Sequence, residues 1–181
     1  MDVDVAILGG GAAGLSAARE TVRRGATPVI VNAGPLGGDC TFTGCVPSKT
    51  VIESANRGLG FVEAFDRARQ VIDRIASTET AATMAEEGVA VIDDEGALAI
   101  RNGRPVIAVG GRTIQARGFV LALGSRPFVP EIPGLADVDH LTTDDLWQLR
   151  TAPASMAVIG GGAIGCELSQ ALARLGVRVT V

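Results

Sequence analysis

Val3-Asp4-Val5-Ala6-Ile7-Leu8-Gly9-Gly10-Gly11-Ala12-Ala13-Gly14 opens the chain as a short apolar run that breaks into glycines. An amphipathic helix follows to about Arg24, Gly25 stops it, and Pro28–Val31 is a second, wholly apolar run. Strands apolar on both faces belong to parallel sheets covered by helices. The stretch therefore reads as a βαβ unit with Gly9-x-Gly11-x-x-Gly14 at its first turn. Those glycines permit a tight turn and let a pyrophosphate approach the helix N-terminus. A glycine-rich turn without a ligand is the plainer alternative. At the end of the second strand, where an acid takes the ribose hydroxyls, stands Asn32, which accepts a hydrogen bond without charge.

Working outward, composition bounds the answer. The chain has 181 residues, enough for one or two domains, with 47% hydrophobic residues, a mean hydropathy of +0.33 and a net charge of −4. With no basic cluster, nucleic acid is not an expected partner. Met1-Asp2-Val3-Asp4 lacks a basic leader, and no apolar run reaches the ~18 residues of a membrane span. Three cysteines in such a chain predict a cytoplasmic setting, where disulfides are catalytic rather than structural.

Two of those cysteines fall in Gly37-Gly38-Asp39-Cys40-Thr41-Phe42-Thr43-Gly44-Cys45-Val46-Pro47-Ser48-Lys49. A disulfide needs Cα atoms within about 7 Å, which this spacing misses on a regular helix. A bonded pair thus requires a turn that tightens before a helix begins. Gly44 permits that turn, and Pro47 suits a first helical turn. Cys45 then sits at a helix N-terminus, where the dipole favours a thiolate. Spacing alone leaves a working redox pair and two unrelated buried thiols both open. A zinc site is disfavoured because no second Cys/His pair supplies ligands, so no metal is expected.

Beyond it, residues 48–58 continue as a helix, and Phe61, Phe65, Ala68, Ile72 and Ile75 recur at helical spacing as a core stripe. Gly88 ends that region and Val89–Ile92 returns to the sheet. Residues 97–120, with turns at Arg101-Asn102-Gly103 and Gly110-Gly111-Arg112, suit a small antiparallel excursion. Phe119–Leu123 reads as a buried strand ending at Gly124-Ser125-Arg126-Pro127. Pro127, Pro130, Pro133 and Gly134 mark an extended, solvent-facing connection. Thr143 is the expected cap of a short helix through Trp147, itself a packing residue. His140 is expected at the surface.

From Met156 the opening repeats. Displaced by 151 positions, Gly9, Gly10, Gly11, Gly14 and Gly25 fall on Gly160, Gly161, Gly162, Gly165 and Gly176, and Arg23 falls on Arg174. The repeat argues for two βαβ units. The expected fold is α/β: a Rossmann-like domain, its parallel sheet carrying a small antiparallel excursion, plus the first βα of a second Rossmann-like domain. The expectation is the N-terminal part of a longer protein.

Three segments together resemble the pyridine nucleotide–disulfide oxidoreductases, such as dihydrolipoamide dehydrogenase, glutathione reductase and mercuric reductase. They are Gly9–Gly14, Gly38-Asp39-Cys40-x₄-Cys45-Val46-Pro47-Ser48-Lys49, and Ile159-Gly160-Gly161-Gly162-Ala163-Ile164-Gly165-Cys166-Glu167. The resemblance implies an FAD-binding domain over residues 1–150 and the start of an NAD(P)H-binding domain over 151–181. Gly9, Gly11, Ala13 and Gly14 would serve the FAD pyrophosphate, and Gly160, Gly162 and Gly165 the NAD(P)H. Asn32, Gly38, Asp39, Lys49, Gly96, Leu123 and Gly124 fall on further cofactor positions. Electrons would pass from NAD(P)H through FAD to a Cys40–Cys45 disulfide, with Cys45 as the thiolate beside the flavin and Cys40 as the interchange thiol. Lys49 would stand near the flavin, paired with Glu167.

The resemblance further implies a homodimeric parent and a disulfide, metal ion or quinone-like acceptor; residues 1–181 alone are expected to be inactive. Flavin chemistry that bypasses the disulfide, or a non-catalytic flavin-binding redox module, is the alternative. Three positions depart from the pattern: Asn32 for an acid, Leu123 for a threonine, and Asp39, which sets a negative charge close to Cys40. Cys166 matches no redox position and is expected to be a small core residue.

Overall fold

The structure, a computed structural model, describes residues 2–181. In chain order the elements begin with β1 (Asp2–Leu8), α1 (Ala12–Arg23), β2 (Pro28–Asn32), α2 (Gly38–Phe42) and α3 (Cys45–Asn56). Next come α4 (Phe61–Ala76), α5 (Ala81–Glu86), β3 (Ala90–Asp93), β4 (Gly96–Arg101), β5 (Arg104–Val109) and β6 (Arg112–Leu121). After a long connection come α6 (Thr143–Leu146), β7 (Ser155–Ala157), α7 (Ala163–Arg174) and β8 (Arg178–Thr180). They divide into two compact units, residues 1–41 with 75–125 and residues 42–74 with 126–181.

The first unit is built on a six-stranded sheet in the order β3-β2-β1-β6-β5-β4. β3, β2, β1 and β6 are mutually parallel, and β5 and β4 add antiparallel. β1 lies inside, with Ile7 facing Ile30 of β2 on one side and Val120 of β6 on the other. Both faces are covered at residues 6–8 of β1 and 28–31 of β2, which is why these runs show no polar alternation, whereas the half-buried start of β1 still alternates Asp with Val. On one face Ile7 and Ile30 pack with Leu15, Ala18, Met84 and Val89, and on the other Ala6, Leu8, Val29 and Val31 meet Ile107, Val109 and Ile114.

The second unit packs α3, α4, α6 and α7 through Val51, Phe61, Phe65, Trp147, Leu168 and Leu172. Phe61 and Phe65 stack with ring centroids 4.2 Å apart, an arrangement that adds to their area burial. In this unit β7 and β8 run parallel, flanking α7 in sequence as β1 and β2 flank α1.

The structure amends three local expectations. The strand expected at 119–123 is the end of β6, and its terminus is open: Leu121 and Leu123 are exposed. The cap of α6 is Thr142 rather than Thr143, since the Thr142 side chain accepts from backbone N–H and Asp145 reaches back, closing a capping box. Cys40 lies in the single helical turn of α2, with the tightening confined to Thr43-Gly44.

Candidate functional site

Where β1 ends, Gly9 adopts φ +106°, and a Cβ there would stand 2.1 Å from the Ala122 carbonyl oxygen. A Cβ on Gly14 would stand 1.9 Å from the Gly9 carbonyl oxygen. Only glycine fits either position, so the turn folds tightly beneath the start of α1. Gly11 caps α1 in extended backbone (φ −75°, ψ −175°) with no side chain over the helix end. The first-turn N–H groups of α1, which have no intrahelical acceptor, are left for a ligand at the positive end of the helix dipole.

Contacts with the end of β2 and the start of α2 hold this turn in place. Gly10 N–H donates to Asn32 Oδ1 at 2.7 Å, and Asn32 Nδ2 donates to the Gly34 carbonyl at 2.9 Å. The Gly10 carbonyl accepts from Gly37 N–H at 2.9 Å, and Gly11 and Gly37 form a parallel bridge. A Cβ on Gly38 would stand 2.9 Å from Gly11 Cα. The glycine pair Gly37-Gly38 thus brings the start of α2 directly against the first glycine turn. The buried Thr41 secures α2 from behind by donating to Glu79 Oε2 at 3.0 Å.

The result is a cavity of about 380 Å³ whose lining includes Ala12, Ala13, Asp39, Cys40, Leu123 and Gly124. A second, of about 240 Å³, is lined by Gly9, Asn32, Asp94, Glu95, Gly96 and again Leu123. A donor-rich helix end with a cavity on Gly11–Ala13 and another on Gly9 suits an elongated ligand with an anionic middle. The group implied by the resemblance, FAD, has that form, and the residues present fit it. Of the expected cofactor positions, Gly9, Gly11, Ala13, Asn32, Asp39, Gly96, Leu123 and Gly124 line the two cavities, while Gly14 and Gly38 shape the turn.

In the second unit the turn after β7 reproduces the first. Gly160 has φ +114°, Gly162 caps α7 with φ −73° and ψ −178°, and a Cβ on Gly165 would stand 1.9 Å from the Gly160 carbonyl oxygen. Cys166, expected in the core, is exposed, its Sγ 3.3 Å from the Gly161 carbonyl oxygen. It belongs to the turn because the first turn of α7 faces outward there. Lys49 Nζ and Glu167 Oε1 are 3.6 Å apart, with both side chains largely exposed (69% and 43%). Cys45 is the first residue of α3, exposed, and Gly44 is its cap. The carbonyl of Thr43 accepts from Trp147 Nε1 at 2.7 Å, which anchors the chain just ahead of that helix.

The groups with shifted titration belong to the first unit. The Thr27 N–H, assisted by Arg117, holds the Asp4 carboxyl below the usual carboxylate range. Arg19 does the same for Glu87 through a 2.7 Å contact that in turn raises Arg19. Sequence reasoning did not find Gly37, Glu79 or the Ala122 carbonyl. Of these only Gly37, beside Gly38, carried a signal.

Among the described residues no helix is long and apolar enough to cross a membrane, and no cluster of three or more His, Cys, Asp or Glu could hold a metal ion. The family model described as pyridine nucleotide-disulphide oxidoreductase matches residues 3–181. A mercuric reductase of Staphylococcus aureus is 34% identical over 194 residues, covering 99% of this chain and 36% of the relative. One from Bacillus cereus is also 34% identical, with 99% and 31% covered. The solved structure of the HOCl-induced flavoprotein disulfide reductase RclA from Escherichia coli aligns with a TM-score of 0.84 at 26% identity, covering 97% of this chain and 41% of that one. The chain spans less than half the length of these relatives. With a family model that matches nearly its whole length, the chain belongs to the pyridine nucleotide-disulphide oxidoreductases, a family that uses FAD with NAD(P)H as electron donor.

Proposed function

We propose that residues 1–150 bind FAD and that residues 151–181 open an NAD(P)H-binding domain, in an enzyme that reduces a small-molecule or disulfide acceptor through Cys40 and Cys45. The observation that carries this reading is that Cys40 lines the same cavity as the first turn of α1 and the strand end at Leu123-Gly124. A thiol on the wall of that cavity supports a flavin reading. When bound, FAD would supply two-electron transfer between NAD(P)H and a disulfide.

The rest falls to the chain's own residues. The N–H groups at the start of α1 hold the pyrophosphate, with Gly14 keeping the turn low. A Cys40–Cys45 bond, once formed, would be cleaved by two electrons and one proton to a thiol and a thiolate. Cys45, the first residue of α3, is the sulfur that the resemblance sets beside the flavin. Cys40 is the sulfur that attacks the acceptor. By the resemblance Lys49, four residues along α3, would supply positive charge near the flavin, with Glu167 Oε1 3.6 Å from its Nζ. Gly160, Gly162 and Gly165 hold the pyrophosphate of NAD(P)H in the same manner as the first turn.

Two relatives are mercuric reductases and one structural neighbour is a disulfide reductase. A soft metal ion and a disulfide are accordingly the acceptors to test first, in a homodimeric full-length protein. Anaerobic titration of the purified full-length protein with dithionite tests the reading. A long-wavelength charge-transfer band after two electrons, lost in Cys45→Ser with flavin retained, is the expected result. Flavin that bleaches in one step without that band would leave the cysteines uncoupled from it.

A further inference from the structure

A dinucleotide held at a βαβ turn needs an acceptor for its ribose hydroxyls, and an acid at the end of the second strand is the usual one. Here that residue is Asn32, and its amide is already engaged. Oδ1 takes the Gly10 N–H at 2.7 Å and Nδ2 is given to the Gly34 carbonyl at 2.9 Å. An aspartate could not make the second bond, having no donor. Asn32 is therefore a fastener between the glycine turn and the end of β2.

The cavity it borders offers two other polar side chains, Asp94 and Glu95, on the turn between β3 and β4. Asp94 is partly engaged, its Oδ1 accepting from the Glu95 N–H at 2.8 Å. The neighbouring Asp93 is also engaged, accepting from Gly34 N–H at 3.0 Å. The Glu95 carboxylate has no hydrogen bond or ion pair among the described residues, and it lines the cavity beside Gly96 and Ala33. Resting on the flavin reading above, we infer that Glu95 is the ribose-binding acceptor for the adenosine half of FAD, its role having passed from the end of β2 to the end of β3.

The two roles are separable. Asn32 acts through the glycine turn, whereas Glu95 contacts ligand and supports nothing in the fold. The test uses flavin-free full-length protein and three probes: FAD, ADP, and ADP lacking both ribose hydroxyls. Glu95→Ala is expected to weaken FAD and ADP about tenfold, the worth of hydrogen bonds to a charged acceptor, with thermal stability of the free protein unchanged. Against the dideoxy probe, wild type and Glu95→Ala should bind alike. Glu95→Gln, which keeps an uncharged acceptor, should fall between them. Equal binding of FAD to wild type and Glu95→Ala would overturn the assignment and leave the flavin reading standing. A tenfold loss that persists with the dideoxy probe would overturn it too, since the effect would not run through the hydroxyls. Wild-type protein that binds neither FAD nor ADP would overturn both.

Discussion

Gly14→Ala isolates the contact on which the first glycine turn depends. The added Cβ would stand 1.9 Å from the Gly9 carbonyl oxygen, whereas a carbon and a carbonyl oxygen settle at about 3.3 Å even in close weak hydrogen bonds. The turn or the helix must therefore move by more than about 1 Å. Two opposing effects set the sign. Alanine is favoured over glycine inside a helix by up to about 1 kcal/mol, and overpacking of a tight site costs about 1–3 kcal/mol. Because the clash is backbone against Cβ, with no flexible side chain to yield, the upper part of that range applies and the net loss is about 1–2 kcal/mol. Urea unfolding followed by circular dichroism should show a lower midpoint with an unchanged slope.

Gly118→Ala is the control. It lies in β6 with ordinary φ and nothing within 4 Å of its would-be Cβ, so its midpoint should move by no more than about 0.5 kcal/mol in either direction. Gly165→Ala meets the same 1.9 Å contact against the Gly160 carbonyl and should behave as Gly14→Ala does. The reasoning fails if Gly14→Ala is as stable as wild type while Gly118→Ala is not.

Other perturbations act on single contacts. Trp147→Phe keeps a ring in the core of the second unit but removes the donor to the Thr43 carbonyl, which should cost about 1–2 kcal/mol in the same assay. Asp4 has a lowered folded pKa, so its contribution to stability is present above the unfolded carboxylate value near 3.8 and is lost as pH falls through the folded one. Asp4→Asn should flatten the acid limb of the stability–pH profile there, with little change in slope near neutrality.

What the sequence revealed was what is local. Gly9-x-Gly11-x-x-Gly14 and its copy at Gly160 name their own conformations, because the steric need for glycine lies within a dozen residues of chain. The helical stripe at Phe61, Phe65 and Ala68 was equally visible, since helical contacts repeat with a short period. The distant partners were not visible. That Asn32 also fastens the glycine turn was hidden, because nothing in the string shows that the N–H of Gly10, 22 positions earlier, donates to its oxygen. Likewise β6 read as two pieces, since its start pairs antiparallel with β5 and its end parallel with β1, and only the sheet joins them. At α6 the signal was present, as Thr142 with Asp145 makes the capping pattern, but the adjacent Thr143 masked it. The exposure of Cys166 depends on which side of α7 faces the core, and a single short helix does not declare that.

The position of β1 also sets the order in which the sheet can be made. Its partner on one side, β2, is synthesised by residue 32, while its partner on the other, β6, is complete only at residue 121. At ordinary synthesis rates of about 5–20 residues per second, β1 waits for several seconds with one row of N–H and C=O groups unpaired beside an apolar face. Such an edge is what a neighbouring nascent chain would join. The interior strand of the finished protein is thus the exposed edge of the growing one, and substitutions that delay β4 through β6 should lower soluble yield without altering the folded sheet.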